Sequence, residues 1–502
     1  MGQGELDYEL ITPSARIATA THGGRAKCLQ RLLRLELPVP KTVAISFSGV
    51  HSIAAGNFED LPEILSNFSN TDLLCVRPSS ESPDWGGPSA IMNIGMNNLR
   101  YEELKQKLGA DAASSIYINF VQAYSLHVAR LDPDIFNPVE TQNSAALANV
   151  LEIYENETEH EFPQDITKQL SEILRSMART WESTTARLLR QAKGAPLDAG
   201  LGLVIQVMAF GLGEGECGTG TLQLIDENDG KPKIKGRYKE QSQIRPEKSS
   251  EGALYLTKDD RGWSLEDNNE EIFRQLVEFA TIMRLKLREE MQIEFSIQNG
   301  TLNILDGVRT PRRSQAAVRV AVSLAEDGII SRNEAIMRVE PRAISELLHR
   351  QIDPDADRDV LGSGVAASPG AATGKIVFSA EAAQSHASRG IDCILVRRET
   401  SPEDVRGMHA AVGVVTERGG ITSHAAVIGR GIGLPCVVGV KDIRFQIKRK
   451  SLICNNGRQL KEGDEITIDG TSGDILFGSP KMVEAALDDA FQTLLEWTDE
   501  VQ

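Results

Sequence analysis

The sequence predicts a multidomain protein of mixed α/β and α+β class. A chain of 502 residues is long enough for about two to four domains, each with its own core. After about residue 365, strand-like and helix-like segments alternate, which is typical of an α/β domain. Between residues 351 and 374 the composition becomes polar and then rich in Gly, Ser, Ala and Pro, which indicates an interdomain linker.

The first 350 residues combine strands, a hairpin and a long helical stretch. DLLCVRPSS at 72–80 is an apolar strand that enters a polar loop. GLGLVIQVMAF at 200–210 is a buried strand that a glycine-rich turn, GLGEGECGTGT, follows. IEFSIQNGTLNILDG at 293–307 predicts a hairpin, because two alternating runs flank an Asn-Gly turn. Residues of about 100–190 show helical periodicity around an acidic surface loop, ETQNS to EFPQD.

These segments predict four regions along the chain. The regions are a first domain over residues 1–350 with a helical insert at about 100–190, a linker over 351–364, a compact α/β domain over 365–480, and a C-terminal helix over 481–502.

Charge and cysteine usage narrow the class of protein. The formal net charge of −17 disfavours a duplex-binding surface, which needs clustered Lys and Arg. It leaves room for a local basic pocket that binds a phosphorylated small molecule. Six cysteines lie apart without a CxxC pair, so reduced thiols are expected, as is typical of cytoplasmic proteins. The N-terminus has no signal-peptide pattern, and no apolar run approaches a membrane span.

The segment GGITSHAAVIGRG at 419–431 is the first candidate for chemistry. It follows a predicted strand, and its double glycine allows a tight turn into a helix. Thr422 or Ser423 is a natural N-cap, so His424 is expected in the first helical turn. Free backbone N–H groups and the helix dipole favour an anion there and disfavour an imidazolium, which keeps the ring neutral and nucleophilic.

These surroundings suit nucleophilic catalysis by a histidine. A phosphoryl group on His424 would meet backbone donors and two hydroxyl groups. The alternative from the residues alone is a structural or solvated histidine. A metal ligand is disfavoured, because no second His, Cys or Asp lies at ligand spacing nearby.

A longer segment around this motif resembles a known domain. Residues 399–440, ETSPEDVRGMHAAVGVVTERGGITSHAAVIGRGIGLPCVVGV, closely resemble the phosphohistidine swivelling domain of the pyruvate phosphate dikinases. Phosphoenolpyruvate synthases, of the same family, and enzyme I of the sugar phosphotransferase system are similar more loosely. The resemblance implies that His424 is the phosphoryl carrier, and it maps Thr422 onto a threonine that is a regulatory phosphorylation site in some dikinases.

Further matches extend the resemblance over most of the chain. They are THGGRAKCLQRLLRLELPVPKTVAIS, VRPSSESPDWGGPSAIMNIGMNN, VIQVMAFGLGEGECGTG and IEFSIQNGTLNILDGVRTPRRSQAAVRVAVSLAEDGII. The family fold, and therefore the expected one, is an ATP-grasp nucleotide domain followed by a swivelling α/β phosphohistidine domain. The implied cofactors are ATP and Mg²⁺.

The resemblance also implies site residues. Arg77 and Arg25 would hold phosphates, and Glu294 and Asp306 would hold Mg²⁺. The strand from Gln206 to Phe210 would contact adenine, and the glycine-rich turn would cover the phosphates. The candidate set is His424, Thr422 and Ser423 for catalysis, Arg25, Arg77, Gln206, Met208, Gly218, Thr219, Gly220, Glu294, Asp306 and Arg309 for the nucleotide, and Glu294 and Asp306 for the metal.

The chain departs from the family in the nucleotide site. Arg25 replaces a lysine, and the two are not equivalent in geometry. The family's Asp-Ile-Glu is Gln292-Ile293-Glu294 here, and its Gln-x-Arg is Asp306-Gly307-Val308, with Arg309 one residue out of place. Loss of one metal ligand and one arginine raises a phosphoryl-transfer barrier by several kcal/mol, which corresponds to roughly thousands-fold in rate.

The histidine motif matches the family, whereas the nucleotide site departs from it, and three functional hypotheses follow from this difference. The first is an ATP-dependent phosphotransferase that charges His424 and passes the phosphoryl group to an acceptor. The second is a catalytically impaired regulatory homologue, and the third is a phosphocarrier that a partner charges. Because the resemblance does not include the family's pyruvate-binding barrel, the acceptor is expected elsewhere on the chain or on a partner, such as a barrel subunit or a full-length homologue. Nucleic acid and membrane partners are not expected.

Overall fold

The computed structural model describes residues 7–136, 143–212, 215–240, 253–258, 262–353, 355–483 and 488–501. Contacts divide the chain into two units. The N-terminal unit comprises Met1–Asp226 and Pro232–Pro311, and the C-terminal unit comprises Glu227–Lys231 and Arg312–Gln502. Both units mix helices with sheets, which confirms the multidomain class with α and β structure.

The N-terminal unit contains two antiparallel sheets, in the strand orders β1-β2-β5-β3-β4 and β10-β9-β6-β7-β8. The strands are β1 Tyr8–Leu10, β2 Thr42–Ile45, β3 Leu74–Ser80, β4 Ile91–Ile94, β5 Leu201–Val207, β6 Gly218–Ile225, β7 Pro232–Glu240, β8 Ala253–Leu254, β9 Met291–Gln298 and β10 Thr301–Arg309. The helices are α1 Thr19–Arg34, α2 Phe47–Ala54, α3 Leu61–Ser66, α4 Asn98–Leu108, α5 Ala110–Tyr124, α6 Ser144–Thr158, α7 Ile166–Glu182, α8 Thr184–Ala192, α9 Leu265–Asn268 and α10 Glu270–Leu287.

The predicted hairpin is confirmed as β9 and β10. Asn299 and Gly300 both have positive φ, 51° and 73°, as a two-residue primed turn requires. A bulge between Ile304 and Asp306 shifts the register, so that Asp306 lies opposite Glu294. Because directly opposed residues point to the same face of a sheet, this register places two carboxylates side by side.

The helical stretch differs from its prediction in two places. Helix α6 occupies most of the segment that we expected to be an acidic loop. The later part of the helical stretch predicted at about 100–190 is divided into α7 and α8 at Ser183, which is extended at ψ 145° and accepts a hydrogen bond from the backbone N–H of Ala186. Ser183 therefore caps a new helix instead of continuing the old one, a preference that competes with helical periodicity.

The C-terminal unit is built on a mixed sheet in the order β12-β22-β21-β14-β15-β16-β17-β13, in which β14 to β17 run parallel. The strands are β11 Gln351–Ile352, β12 Val360–Ser363, β13 Val365–Ser368, β14 Ala371–Val377, β15 Cys393–Arg397, β16 Gly413–Thr416, β17 Cys436–Val438, β18 Ile443–Gln446, β19 Ser451–Cys454, β20 Gln459–Lys461, β21 Glu465–Asp469, β22 Asp474–Phe477 and β23 Met482–Val483. The helices are α11 Ser314–Glu326, α12 Arg332–Arg338, α13 Pro341–Leu347, α14 Ala380–Ala387, α15 Val405–Ala410, α16 His424–Ile432 and α17 Asp489–Val501.

Region limits differ from the prediction at both ends of this unit. The predicted linker 351–364 contains β11 and β12, and the tail forms β23 before helix α17 begins at Asp489. The contact division falls at residue 311, ahead of the limit predicted at 350. The reason is that α11 packs against α17, with an ion pair of 2.5 Å between Arg319 and Asp488. The domain functions attached to those limits remain predictions.

Candidate functional site

His424 is the first residue of helix α16. Ser423 is the N-cap, in an extended conformation, and its hydroxyl accepts a hydrogen bond from the backbone N–H of Ala426 at 3.4 Å. The ring of His424 is half-buried, and Thr422 is exposed. The histidine therefore lies at the end of the helix where unpaired N–H groups are found, as its sequence position predicted.

A glycine-containing turn connects β16 to this helix. Gly419 has φ +124°, and a Cβ built on it would lie 2.9 Å from Cβ of Ser423. A side chain at this position would therefore be strained by its backbone and would displace the N-cap. The close approach of this backbone to Ser423 explains why position 419 is a glycine.

Thr400 is a residue of this site that sequence reasoning missed. Its Oγ1 lies 3.2 Å from Nδ1 of His424, and the residue is buried. Thr400 follows β15 and His424 follows β16, which are parallel neighbours, so both residues leave the carboxyl edge of the sheet. Ligands of open α/β sheets bind at that edge. In the tautomer in which Nδ1–H donates to Thr400, Nε2 carries the lone pair.

In the N-terminal unit, Arg77 holds the two opposed carboxylates of β9 and β10. One guanidinium nitrogen, Nη2, bonds Oε2 of Glu294 and lies 3.2 Å from Oδ2 of Asp306. Its Nη1 donates to the carbonyl of Leu305 at 3.1 Å. Burial alone would lower the pKa of Arg77, but attraction by Asp306 and Glu294 outweighs burial and raises it.

Arg25 completes a four-residue ion cluster with these side chains. Its Nε donates to Oδ2 of Asp306 at 2.6 Å, and its Nη1 donates to the carbonyl of Pro78. Asp306 is only 1% exposed at its side chain, and its Oδ1 accepts from the N–H of Gly307. Two cations and two carboxylates therefore balance, and the buried Asp306 is satisfied on both oxygens.

The geometry of Gly23 brings Arg25 to this cluster. Gly23 has φ +84° inside α1, and a Cβ there would lie 1.8 Å from the carbonyl oxygen of Ser79. The Ser79 hydroxyl donates to the carbonyl of His22 at 2.7 Å and accepts from the N–H of Ala26 at 3.0 Å. These hydrogen bonds hold the turn at Gly23 against strand β3, which also carries Arg77.

A cavity of about 420 Å³ opens beside the ion cluster within the N-terminal unit. Arg25, Asp306 and Arg309 line it, together with Gly86 and Gly87. Cys28 also lines it and donates to the carbonyl of Gly307 at 3.0 Å. Burial raises the pKa of the Cys28 thiol to about 12, so this sulfur stays protonated and is not a nucleophile.

The other predicted nucleotide residues are placed less favourably. Gln206 is buried and donates to Oγ1 of Thr42 at 3.0 Å, and the N–H of Met208 donates to the carbonyl of Leu73. Arg309 is mostly exposed, with Glu289 at 3.2 Å, and stays outside the ion cluster.

The predicted glycine-rich turn is wrong for Gly218, Thr219 and Gly220. These residues open strand β6 and pair with both β7 and β9. A Cβ on Gly220 would lie 2.3 Å from the carbonyl of Arg237 and 2.6 Å from the ring of Phe295. Close strand packing therefore explains this glycine, and the pattern was indistinguishable from a loop in the sequence.

The carboxylates fit a magnesium ion that is held jointly with phosphates. Mg²⁺ is usually bound through one or two carboxylates together with phosphate oxygens and water. Glu294 and Asp306 offer such a pair on one face. Across the described residues, no group of three or more His, Cys, Asp or Glu side chains is arranged to hold a metal alone. The pair thus fits Mg²⁺ only when a ligand brings further oxygens.

Comparison with known proteins gives two kinds of match. Residues 391–473 match the family described as PEP-utilising enzyme, mobile domain. Pyruvate, phosphate dikinase of Rhizobium meliloti (strain 1021) is 33% identical over 95% of this chain and 58% of its own length. The corresponding enzymes of Flaveria pringlei and Clostridium symbiosum are 34% and 31% identical, over 88% and 86% of this chain and 48% and 52% of their own.

The chain belongs to the pyruvate, phosphate dikinase family over the part that it spans. The resemblance inferred from the motifs is thereby confirmed. The chain spans about half the length of the curated relatives that it matches. The mobile-domain match contains both His424 and Thr400. In the part of the chain that the structure describes, no helix has the length and apolarity needed to cross a bilayer.

Proposed function

We propose that this chain is an ATP-dependent phosphotransferase in which His424 carries a phosphoryl group from the nucleotide to an acceptor. The observation that carries the proposal is the contact between Thr400 and Nδ1 of His424 at the N-terminus of α16. It orients a half-buried histidine and leaves Nε2 for the reaction. The ATP-grasp and swivelling assignments of the two regions are part of the same proposal.

The transfer needs little covalent chemistry from the protein. The Nε2 lone pair forms the N–P bond while the bond from phosphorus to the leaving phosphate oxygen breaks, and the electron pair stays on that oxygen. If the chemistry of the family applies, Nε2 attacks the β-phosphorus and AMP leaves, and inorganic phosphate then takes the γ-phosphoryl that is still attached, so that the β-phosphoryl remains on the histidine. The hydroxyl groups of Thr422 and Ser423 and the free N–H groups of α16 would meet the phosphoryl oxygens on the histidine.

The ion cluster would provide the nucleotide end. Arg77 and Arg25 would transfer part of their hydrogen bonding from Asp306 and Glu294 to phosphates. Glu294 and Asp306 would then hold Mg²⁺, which neutralises phosphate charge when bound. Gln206 and Met208 would contact the adenine through backbone atoms. Gly218, Thr219 and Gly220 would cover the phosphates from their positions in strand β6. Arg309 would act from the rim of the cavity.

A second candidate is an impaired homologue or a carrier that a partner charges. Gln292 and Val308, which replace a carboxylate and an arginine of the family pattern, are opposite each other in the hairpin register. Both changes fall in the strands that carry Glu294 and Asp306. A full-length homologue or a separate barrel subunit would then be the partner. Pyruvate and phosphate, named in the relatives' enzyme activity, are candidate reactants only with such a partner.

The test is to incubate the purified chain with Mg²⁺ and ATP labelled at the β or the γ position. The proposal expects acid-labile, base-stable label on the wild-type chain, none on His424→Ala, and a strong reduction on Arg77→Ala. His409→Ala is the matched control, because His409 is an exposed histidine of the same unit without a predicted role. Full labelling of Arg77→Ala would refute the nucleotide site as described.

The remaining outcomes separate the two alternatives. Binding of ATP without any label on the protein would favour the impaired homologue. Label that is formed only after a full-length relative is added would favour a carrier that is charged by a partner. In either case the histidine site and the nucleotide site are tested separately, because His424→Ala and Arg77→Ala lie in different units.

A further inference from the structure

The cavity beside the ion cluster carries more positive charge than the cluster uses. The charged residues of its wall are Arg25, Lys27, Arg31, Arg309, Glu289 and Asp306. Arg25 pairs with Asp306 at 2.6 Å, and Arg309 pairs with Glu289 at 3.2 Å. Among the residues that the structure describes, Lys27 and Arg31 form no ion pair with a carboxylate. The proposed nucleotide contacts involve neither of these two cations.

Lys27 and Arg31 lie on the same face of helix α1, because they are four residues apart. Cys28 also lines the cavity and donates to the carbonyl of Gly307, so this side of α1 faces β10. Burial and then Asp306 raise the pKa of Cys28, whereas attraction by Arg31 opposes the rise, so the charge of Arg31 acts on this side of the helix. The Arg31 side chain is exposed and makes no hydrogen bond within the described chain, which leaves all its N–H donors for a ligand.

Lys27 has only neutral partners. Its Nζ donates to the carbonyl of Ile17 at 2.7 Å and to Oε1 of Gln30 at 2.8 Å. Burial lowers the pKa of Lys27, and repulsion by Arg34 and Arg31 lowers it further. Like charges that are held together in a cleft attract an anion to it.

The cavity lies at one end of the proposed nucleotide site. Along the ladder of β9 and β10, residues 307–309 line the cavity on one side of the two opposed carboxylates. Segment 206–210, the proposed adenine contact, lies on the other side, where the carbonyl of Ala209 accepts a hydrogen bond from Oγ of Ser296 at 3.0 Å. A nucleotide that contacts both this segment and the carboxylates would therefore direct the end of its phosphate chain into the cavity.

A purely structural role accounts for only part of this arrangement. Cations in the last turn of a helix interact favourably with its dipole, and Arg31 and Arg34 both lie in the last turn of α1. Arg34, however, donates to the carbonyl of Pro13 at 2.7 Å and does not line the cavity. Lys27 lines the cavity although it lies before the last turn. The helix dipole therefore explains neither the direction of Arg31 nor the presence of Lys27.

We propose, on the basis of the proposed function, that Arg31 and Lys27 bind the terminal phosphate of a nucleoside triphosphate and so favour ATP over AMP. Arg31 would donate two N–H groups to the phosphate oxygens, and Lys27 would add a point charge. Arg25 lies six residues before Arg31, which corresponds to about 9 Å along the axis of α1. One helix would thus contact the phosphate chain at two separate points.

The experiment is a calorimetric titration of the full chain with ATP and with AMP in the presence of Mg²⁺. All chains carry His424→Ala, so that phosphoryl transfer cannot consume the nucleotide. Arg31→Gln removes the charge, and Arg31→Lys keeps it. Arg34→Gln is the matched control, because Arg34 lies in the same turn of α1 and does not line the cavity. Arg25→Ala reports on the ion cluster.

Arg31→Gln is expected to weaken ATP binding about fivefold or more and to leave AMP binding unchanged, because a monophosphate does not reach the cavity. Arg31→Lys is expected to retain most of the affinity for ATP. Arg34→Gln is expected to bind both nucleotides like the parent chain.

Unchanged ATP affinity in Arg31→Gln, together with a clear loss in Arg25→Ala, would overturn the role of Arg31 and leave the proposed nucleotide site intact. Equal losses for ATP and AMP, an equal loss in Arg34→Gln, or a loss in Arg31→Lys as large as in Arg31→Gln would also overturn it. Absence of ATP binding to the folded parent chain would instead refute the nucleotide site of the proposed function, and the role of Arg31 with it.

Discussion

Two carboxylates that share one arginine differ in burial, and this difference yields a quantitative prediction. Asp306 and Glu294 are opposite each other in register and both contact Nη2 of Arg77. The side chain of Asp306 is 1% exposed, whereas that of Glu294 is 40% exposed. We expect Asp306→Asn to lower the free energy of unfolding of the N-terminal unit much more than Glu294→Gln does.

The magnitudes follow from the surroundings of each carboxylate. Asp306→Asn leaves Arg25 and Arg77 without their shared buried partner, and removal of one member of a buried ion pair costs about 3–5 kcal/mol. Glu294→Gln removes an interaction that water already screens, worth at most about 1 kcal/mol. With a urea dependence of about 3 kcal/mol per M, the first substitution lowers the unfolding midpoint by about 1 M or more.

Urea unfolding followed by tryptophan fluorescence is the assay, because Trp85, Trp181 and Trp263 belong to the N-terminal unit. The double variant Arg25→Met with Asp306→Asn is expected to recover part of the loss, because it removes one of the cations that the first change leaves unpaired. Equal midpoint shifts for Asp306→Asn and Glu294→Gln would refute the reasoning from burial, as would a double variant less stable than the two single losses added together.

Three further predictions concern other parts of the chain. Thr400→Val is expected to slow labelling of His424 by about tenfold, while Thr400→Ser, which keeps the hydroxyl, stays near the wild-type rate; time courses with labelled ATP measure both. Gly23→Ala is expected to destabilise the N-terminal unit by several kcal/mol, because its Cβ would overlap the Ser79 carbonyl at a positive φ; thermal unfolding that stays within about 2 °C of the wild type would contradict this. Burial raises the thiol pKa of Cys28 and Cys436 to about 12 from an ordinary value of 9.0. The free energy of unfolding is therefore expected to fall by up to about 1.4 kcal/mol per thiol per pH unit as the pH rises from 9 toward 12. Unfolding midpoints that stay constant over this range would refute this prediction.

Features with a local cause could be predicted from the sequence. The turn at Asn299 and Gly300 needs two residues that tolerate positive φ, and these two residue types therefore predict it directly. Ser423 and His424 are placed by an N-cap preference that acts over a few residues. The same is true of β3, whose apolar run ends in the loop that approaches α1. In each case the physical cause lies within the segment itself.

Features that depend on distant partners could not be predicted in this way. Gly220 was assigned to a turn, because nothing in its own segment reveals that Phe295 and Arg237 would exclude a side chain. Thr400 became visible only when parallel strands brought two loops to one edge. The knowledge that carboxyl ends of parallel strands converge could have singled it out, once β15 and β16 were known to be neighbours.

The hairpin register changes how the family departures are understood. Four positions share one face of β9 and β10, with Gln292 opposite Val308 and Glu294 opposite Asp306. The family pattern at these positions is Asp, Glu, Gln and Arg, which sums to a charge of about −1, whereas Gln, Glu, Asp and Val sum to about −2 at neutral pH. The carboxylate that is missing at position 292 is therefore present at 306, on the facing strand, and the lost component is the arginine. Under the proposed function, a site that keeps two carboxylates would still hold Mg²⁺ with phosphates, while transition-state charge would be neutralised less well. The substitutions would then slow transfer at a site that still binds nucleotide, and Arg77 with Arg25 would supply the remaining electrostatic stabilisation.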